Sequence, residues 1–273
     1  MKNDINLKSY EGVEKVQSAL SDKEFKEYCD KKIESCIYDL EFIKDNIYSS
    51  HSLNTCEIGT GNGKLLFAME QSGILNGGVG YEVSKSRCEC AERFKRLMGC
   101  NLSQIVNQNF LEDRSKRKFD LIIAVDIVIQ IISPLYDKAE EDMFQWIGEH
   151  LEDDGALFLE LVDYSSTIET LKNNQVIRTW EEFPDADAYR YGLYSRSLDS
   201  DGNIVKDKIF IRRVDGGPWI SQNVVKSYSR EEIYDVLSKY GFTCEIYPYK
   251  GINNENKDYY RVIARKSRGG IVE

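Results

Sequence analysis

Proline, histidine and long apolar runs are all scarce in this chain. Four prolines among 273 residues, with no internal repeat and no low-complexity tract, exclude polyproline, collagen-like and solenoid architectures. No apolar stretch approaches the ~20 residues that a membrane helix requires. The opening MKNDINLKSYEGVEK holds no apolar signal region, so the expectation is a cytoplasmic protein with no membrane partner. Only two histidines occur. His51 precedes the first expected strand at its wrong end for chemistry, and His150 ends a helix and is expected on the surface. A histidine base is therefore not expected. Seven cysteines make an odd set with no two CxxC pairs, and the close pair Cys88-x-Cys90 has no histidine nearby. That pattern argues for reduced thiols and against a metal site. Positive charge is also short: 36 Lys and Arg against 46 Asp and Glu leave a net charge of −10, which argues against a nucleic-acid partner.

What is present is an ordinary globular composition, 41% apolar and 30% charged, in a chain long enough to bury a sizeable core. Phe25, Cys29, Ile33, Cys36, Leu40, Ile43 and Ile47 recur at three- and four-residue steps and predict one amphipathic helix over about 22–48, capped by Ser21 or Asp22. The polar segment before it, through Ser18, reads as an arm. Short apolar strands then alternate with helical patterns: strands at about 54–59, 77–83, 103–110, 119–127 and 156–162, the last preceded by a turn at Asp153-Asp154-Gly155. That alternation predicts a parallel sheet with helices on both faces. From about 179 to 228 the helical period vanishes. Three strand-like segments flank the turns at Asp201-Gly202 and Asp215-Gly216-Gly217, which predicts a small inserted antiparallel sheet. A capping box, Ser229 to Glu232, opens the last helix, and two strands end the pattern.

The string Glu57-Ile58-Gly59-Thr60-Gly61-Asn62-Gly63-Lys64 ends a strand and opens a helix. Glycines there let the backbone turn tightly and approach a ligand. A dinucleotide fingerprint would need glycine where Lys64 stands, and no GK[ST] follows, so a phosphate-binding loop is excluded. With these residues the chain resembles the class I S-adenosylmethionine (SAM)-dependent methyltransferases. The resemblance rests on the acidic residue, x, GxGxG string, on the acid Glu82 ending the second strand, on Asn109-Phe110, on Phe119 to Asp126 in the fourth strand, and on Leu151 to Gly155 before the fifth. It runs across about 52–162 and continues to about Lys266.

The resemblance implies an α/β fold: a Rossmann-like, seven-stranded, mostly parallel sheet with an N-terminal helical cap. The expected organisation is an arm and cap over 1–50, a SAM-binding core over 51–178, an antiparallel lid over 179–228, and completion of the core over 229–273. It implies SAM as cofactor, with S-adenosyl-L-homocysteine (SAH) as product. Expected cofactor contacts are Tyr10 from the arm, Glu57, Gly59, Thr60, Gly61, Asn62, Gly63, Glu82 on the ribose, Val83, Asn109, Phe110 and Asp126. The inserted sheet looks like the roof of bacterial small-molecule methyltransferases, including amino-sugar N-methyltransferases. Acceptor-side candidates are Gln130 and Asp163 with Tyr189, Arg190, Tyr194 and Trp219 of the roof. Catalytic candidates are Asp126, Glu160 and Tyr191. No NPPY or DPPY follows the fourth strand, against methylation of base amines, and no Pro-Cys nucleophile stands there, against cytosine carbon-5 chemistry. The implied reaction is methylation of a small amine or hydroxyl by a monomer or homodimer. The alternatives are a protein or RNA methyltransferase and a SAM-binding protein without turnover.

Overall fold

Apolar runs without alternation can be strands only where both sheet faces are covered, and this chain builds such a sheet. The computed structural model describes residues 10, 12, 14–48, 50–183, 189–250 and 258–267. Strands β1 (Leu53–Ile58), β2 (Leu75–Glu82), β3 (Ser103–Asn107), β4 (Phe119–Ala124), β5 (Leu151–Val162), β10 (Phe242–Pro248) and β11 (Tyr259–Lys266) form one sheet in the order β10-β11-β5-β4-β1-β2-β3. β3, β2, β1, β4 and β5 are parallel neighbours, and β11 runs antiparallel to β5 and β10. The order reverses between β1 and β4, the switch point at which such sheets bind ligands.

Successive residues of β4 point to opposite faces and into separate cores. Leu121 and Ile123 meet the face covered by α2 (Asp22–Glu34), α3 (Ile37–Asn46), α4 (Lys64–Gln71) and α5 (Lys85–Met98). Ile122 and Ala124 meet the face covered by α6 (Val128–Ile132), α7 (Ala139–His150) and α9 (Glu232–Lys239). The short helix α1 (Lys15–Ser18) precedes α2. The single helix expected over 22–48 is two helices, broken at Ser35-Cys36. A straight helix of that length would reach about 40 Å; the break lets α2 pack on α5 while α3 meets the far edge of the sheet. Arg261 of β11 fixes α3 there by donating to the Tyr38 carbonyl at 3.1 Å and to Asp39. β5 starts earlier than expected, because Asp153-Asp154-Gly155 is a bulge within the strand: Phe119 pairs with Leu151, but Leu121 pairs with Ala156.

After β5, α8 (Ser165–Asn174) leads into a second, antiparallel sheet of four strands: β6 (Val176–Glu182), β7 (Tyr189–Leu198), β8 (Ile204–Arg212) and β9 (Pro218–Val225). β6 is the strand added to the three expected. The base of this sheet is apolar: Ile204 and Val225 pack with Val162, Tyr164 and Leu171. The capping box forms as expected, with Ser229 N–H donating to Glu232 and Glu232 N–H to Ser229 Oγ.

The two sheets are tied through Gln130, which is wholly buried. Its amide accepts from Val162 N–H at 2.9 Å and donates to the carbonyls of Val162 and Lys226 at 3.0 Å each. One side chain thus extends the ladder past the end of β5 and holds the exit of β9. Gln130→Leu keeps the volume but orphans three buried backbone groups, and each orphan costs about 1–3 kcal/mol. We expect a loss of at least about 2 kcal/mol, read as a drop of several degrees in the thermal midpoint. A midpoint unchanged from wild type would contradict this role.

Candidate functional site

The carboxyl ends of β1, β2 and β4 open into a cavity of about 420 Å³. Its floor is the turn from Gly59 to Gly63, in which all three glycines have positive φ. Two of them have no substitute. A Cβ on Gly59 would stand 2.8 Å from Val128, and one on Gly63 would stand 2.7 Å from the Phe67 ring. The turn is held from β2: Glu82 accepts from Gly61 N–H at 2.9 Å with one oxygen and from Ser84 N–H at 2.8 Å with the other. Within the turn, Thr60 Oγ1 donates to Glu57 at 2.5 Å. Asn62 Nδ2 lies 2.9 Å from Glu14 and 3.1 Å from the Tyr28 hydroxyl.

The core-side wall is charged and mostly paired. Arg87 lies 3.8 Å from both Glu14 and Glu82, and Lys64 lies 3.8 Å from Asp126. Burial pushes the Glu57 carboxyl up to about 7, against the opposing Thr60 hydrogen bond and the charge of Lys64. Two polar atoms of this wall, Glu14 Oε2 and Arg87 Nε, are buried facing each other at 3.8 Å, and among the described residues neither has a hydrogen bond. Asp126 and Ile127 both hold left-handed backbone conformations, at φ 55° and 60°. Such a conformation costs on the order of 1–3 kcal/mol per residue and concentrates at functional sites. Here it turns the end of β4 outward and sets Asp126 on the cavity rim.

Of the residues singled out in the sequence, Tyr10, Glu57, Gly59, Thr60, Gly61 and Asn62 line this cavity, as do Glu82, Val83, Asn109, Phe110 and Asp126. Gly63 lies behind the lining, where it caps α4. Phe110 is packed edge-on against Trp146, with ring centroids 5.0 Å apart. Asn109 accepts from Leu111 N–H and so starts the turn that presents Phe110. Tyr10 is held by the start of α5: its carbonyl accepts from Ser84 Oγ at 3.1 Å, and its ring lies under the Arg87 guanidinium. The rest of the expected arm, 1–9 with 11 and 13, lies outside the described residues.

Other expectations are corrected. Gln130 is consumed by backbone groups and does not reach the cavity. Asp163 accepts from Ser165 N–H and Oγ and starts α8. Glu160 is buried across from Arg261 at 3.7 Å, on the face of β5 beneath α3, and burial with Asp126 and Asp39 pushes its carboxyl up to about 8. Tyr191 lies on the far face of the second sheet beside Trp180, with the Arg190 guanidinium over its ring. Tyr189 and Trp219 pack on Phe210, nearer the tip of that sheet than the cavity, and Tyr194, in the row of Lys208, bonds Glu181. His150 is buried rather than surface-exposed. It stacks on Trp146, four residues earlier on the inward face of α7, with both ring nitrogens at carbonyl oxygens. The residues that sequence reading missed are Glu14, Lys32, Lys64, Arg87, Lys206, Lys208 and Tyr259. Lys206 and Lys208 left a signal, two cations at i and i+2, and so on one face, of a strand that is mostly apolar apart from Asp207 and Arg212.

Comparison with known proteins agrees with this geometry. No curated protein matches the chain. Among solved structures it is similar to the CcbJ methyltransferase from Streptomyces caelestis, at 14% identity and a TM-score of 0.67 over 85% of this chain and 90% of that one. It is equally similar to an S-adenosylmethionine-dependent methyltransferase from Clostridium acetobutylicum, at 14% identity and 0.67 over 93% and 95%. A sugar N-methyltransferase from Streptoalloteichus aligns at 12% identity and 0.57 over 85% and 88%. At these identities the likeness is one of fold. The methyltransferase domain family matches residues 40–245, from α3 into β10, and so spans the glycine turn, Glu82, the strained end of β4 and the second sheet. The chain belongs to that methyltransferase domain family, whose cofactor is S-adenosylmethionine.

Proposed function

We propose that this protein methylates an amine or hydroxyl of a small metabolite, such as a sugar, an amino acid or a natural-product intermediate. The observation that carries the reading is a single cavity bounded on one side by the glycine turn and on the other by the second sheet, through Lys206 and Lys208. Its volume lies in the range of small-molecule sites, roughly 300–1,000 Å³. The second sheet thus acts as a lid, and the similar sugar N-methyltransferase is named for a small acceptor.

The residues present fit SAM. The glycine turn leaves a cradle that any Cβ at Gly59 or Gly63 would distort, and Glu14 and Arg87 bring to it two buried polar atoms that pair only with each other at 3.8 Å, with no hydrogen bond among the described residues. The cofactor supplies an electrophilic methyl group on a sulfonium. Glu82 accepts from the ribose hydroxyls, Phe110 and Asn109 flank the adenine, and Glu57 with the glycine turn holds the methionine end. Residues 10 and 14, with Lys32 of α2, close the cavity on the arm side and exclude water. The chain's main task is then alignment, which contributes at most about 7–11 kcal/mol to lowering a barrier. An amine acceptor needs no base beyond water. For a hydroxyl acceptor Asp126 is the base, as the expected catalytic carboxylate that borders the cavity.

Two measurements test this reading. Glu82→Ala removes a charge-assisted acceptor worth about 1.5–3 kcal/mol, so SAH binding should weaken roughly ten- to hundredfold by calorimetry. Unchanged affinity in a folded variant would sink the assignment. The second concerns pH. In the ligand-free protein Glu57 holds its proton up to about 7, and a cationic amine favours the ionised form. SAH affinity should therefore fall as pH drops from about 8 to about 6, by up to about tenfold per unit below the pKa, with proton release on binding. The folded value lies above the ordinary 4.5, so Glu57 makes the ligand-free fold less stable as pH rises from about 4.5 to about 7. Glu57→Gln should flatten both dependences. A wild-type SAH affinity indifferent to pH in this range would separate Glu57 from the cofactor.

A further inference from the structure

The inner face of the second sheet changes character from base to tip. At its base Leu198, Ile204 and Val225 pair in one cross-strand row and seat the sheet on the core. The next row is Arg196, Lys206 and Asn223, and the one after it is Tyr194, Lys208 and Ser221. Phe210 and Trp219 follow, stacked 5.3 Å apart. Of the two middle rows, Lys206 and Lys208 line the cavity. The outer face carries Arg178, Ser195, Asp207 and Gln222 in the row between them, and Trp180, Leu193, Ile209 and Ile220 in the next. The strand alternation therefore directs the cations inward.

Among the described residues no carboxylate stands within 4 Å of Arg196, Lys206 or Lys208, whereas Arg87 and Lys64 on the opposite wall both have one. Asp126, whose field reaches Lys208, already pairs with Lys64. Lys206 rests on the Tyr164 ring and donates to its hydroxyl, a neutral partner. Burial, with Lys208 and Arg196 beside it, pushes Lys206 down to about 7. Ser221 Oγ and Asn223 Nδ2 stand in the same two rows. Both residues are about 97% buried; Ser221 Oγ has no hydrogen-bond partner among the described residues, and the Asn223 amide meets the hydroxyl of Tyr10, itself a cavity residue. Uncompensated like charges beside an unfilled donor are unfavourable unless an anion completes them.

We propose that the methyl acceptor carries an anionic group, a carboxylate or a phosphate, received by Arg196, Lys206 and Lys208 with Ser221 and Asn223. This rests on the small-molecule methyltransferase reading and narrows it: the charged group anchors the acceptor under the lid while its amine or hydroxyl faces the glycine-turn end. The two walls of the cavity then divide the work, the paired core-side wall toward the cofactor and the cations of the second sheet toward the acceptor.

The test is titration calorimetry on SAH-saturated protein with two probes, inorganic phosphate and acetate, in low-salt buffer. Wild type, Lys206→Gln/Lys208→Gln and the exposed control Lys172→Gln are compared, and SAH affinity is measured for each. We expect at least one probe to bind wild type and the control alike, and to bind the double variant about ten- to hundredfold more weakly, the effect of removing charged hydrogen-bond donors. Which probe binds more tightly decides between phosphate and carboxylate. SAH affinity should stay within about twofold across the three proteins. The thermal midpoint of the double variant should equal or exceed that of wild type, since like-charge repulsion is removed. Absence of binding by both probes, or equal binding by the double variant, overturns the proposal. A double variant that loses SAH affinity instead assigns the cations to the cofactor's own carboxylate and also overturns it. Failure of wild type to bind SAH at all would defeat the methyltransferase reading itself.

Discussion

Glu82 is the residue on which the site depends. It ends β2, and its carboxylate accepts from Gly61 N–H in the turn that follows β1. That bond joins two adjacent strands at their carboxyl ends and fixes the turn as a floor. The turn in turn depends on glycines where Val128 and Phe67 leave no room for a side chain. Shifting Glu82 would leave Gly61 N–H and Ser84 N–H without their acceptor and free the start of α5, which holds Tyr10. One carboxylate therefore organises the floor, one wall and the arm-side closure together. The same oxygens retain lone pairs for hydroxyl donors, because a carboxylate accepts about four hydrogen bonds.

The rest of the site is a problem of managing buried charge. On the core side the solution is pairing, with Arg87 between two acids and Lys64 opposite Asp126. Glu57 is the exception, and burial holds it poised near neutrality. On the side of the second sheet, Lys206 and Lys208 have no carboxylate within 4 Å among the described residues. A chain that is acidic overall carries a locally basic roof, which net charge alone could not reveal. The strained conformations of Asp126 and Ile127 fall between these two regions, at the sheet's switch point. The surrounding structure sustains them: Ile127 N–H donates to the Glu160 carbonyl at 3.3 Å, and its carbonyl accepts from Gln130 N–H at 2.9 Å.

The two sheets meet through few elements, so their relation depends on a small set of polar ties. Gln130 joins β5 to the exit of β9. Tyr228 reaches Ser133 at 2.6 Å and Glu140 at 2.5 Å, and Lys226 reaches Glu140 at 2.6 Å. Arg261, sandwiched among Phe42, Phe158 and Tyr249, does the same for the N-terminal helices on the other face. Buried polar groups of this kind orient what apolar packing leaves free to slide.

The sequence by itself determined the strand-turn-helix frame and the cofactor end. Glu57, the three glycines and Glu82 are contiguous with the strands that carry them, so spacing along the chain is also spacing in the fold. The antiparallel sheet was legible from its hairpin turns, and the last helix from its capping box. The opposite side of the cavity was not legible, because there the relevant distances run between segments far apart in the chain. Gln130, Asp163 and Glu160 are polar residues at or just after strand ends, as a site would require, yet backbone groups occupy the first two and Arg261 faces the third in a buried pair. His150 left the surface because its helix turned that edge inward onto Trp146. The lid's aromatic residues were correctly placed in the sheet, but which rows face the cavity depends on where the apolar base of the sheet seats. That seat, Ile204 and Val225 on Val162 and Leu171, sets Lys206 and Lys208 over the cavity and carries Tyr189 and Trp219 beyond it, since each further row of a strand pair advances the face by two residues.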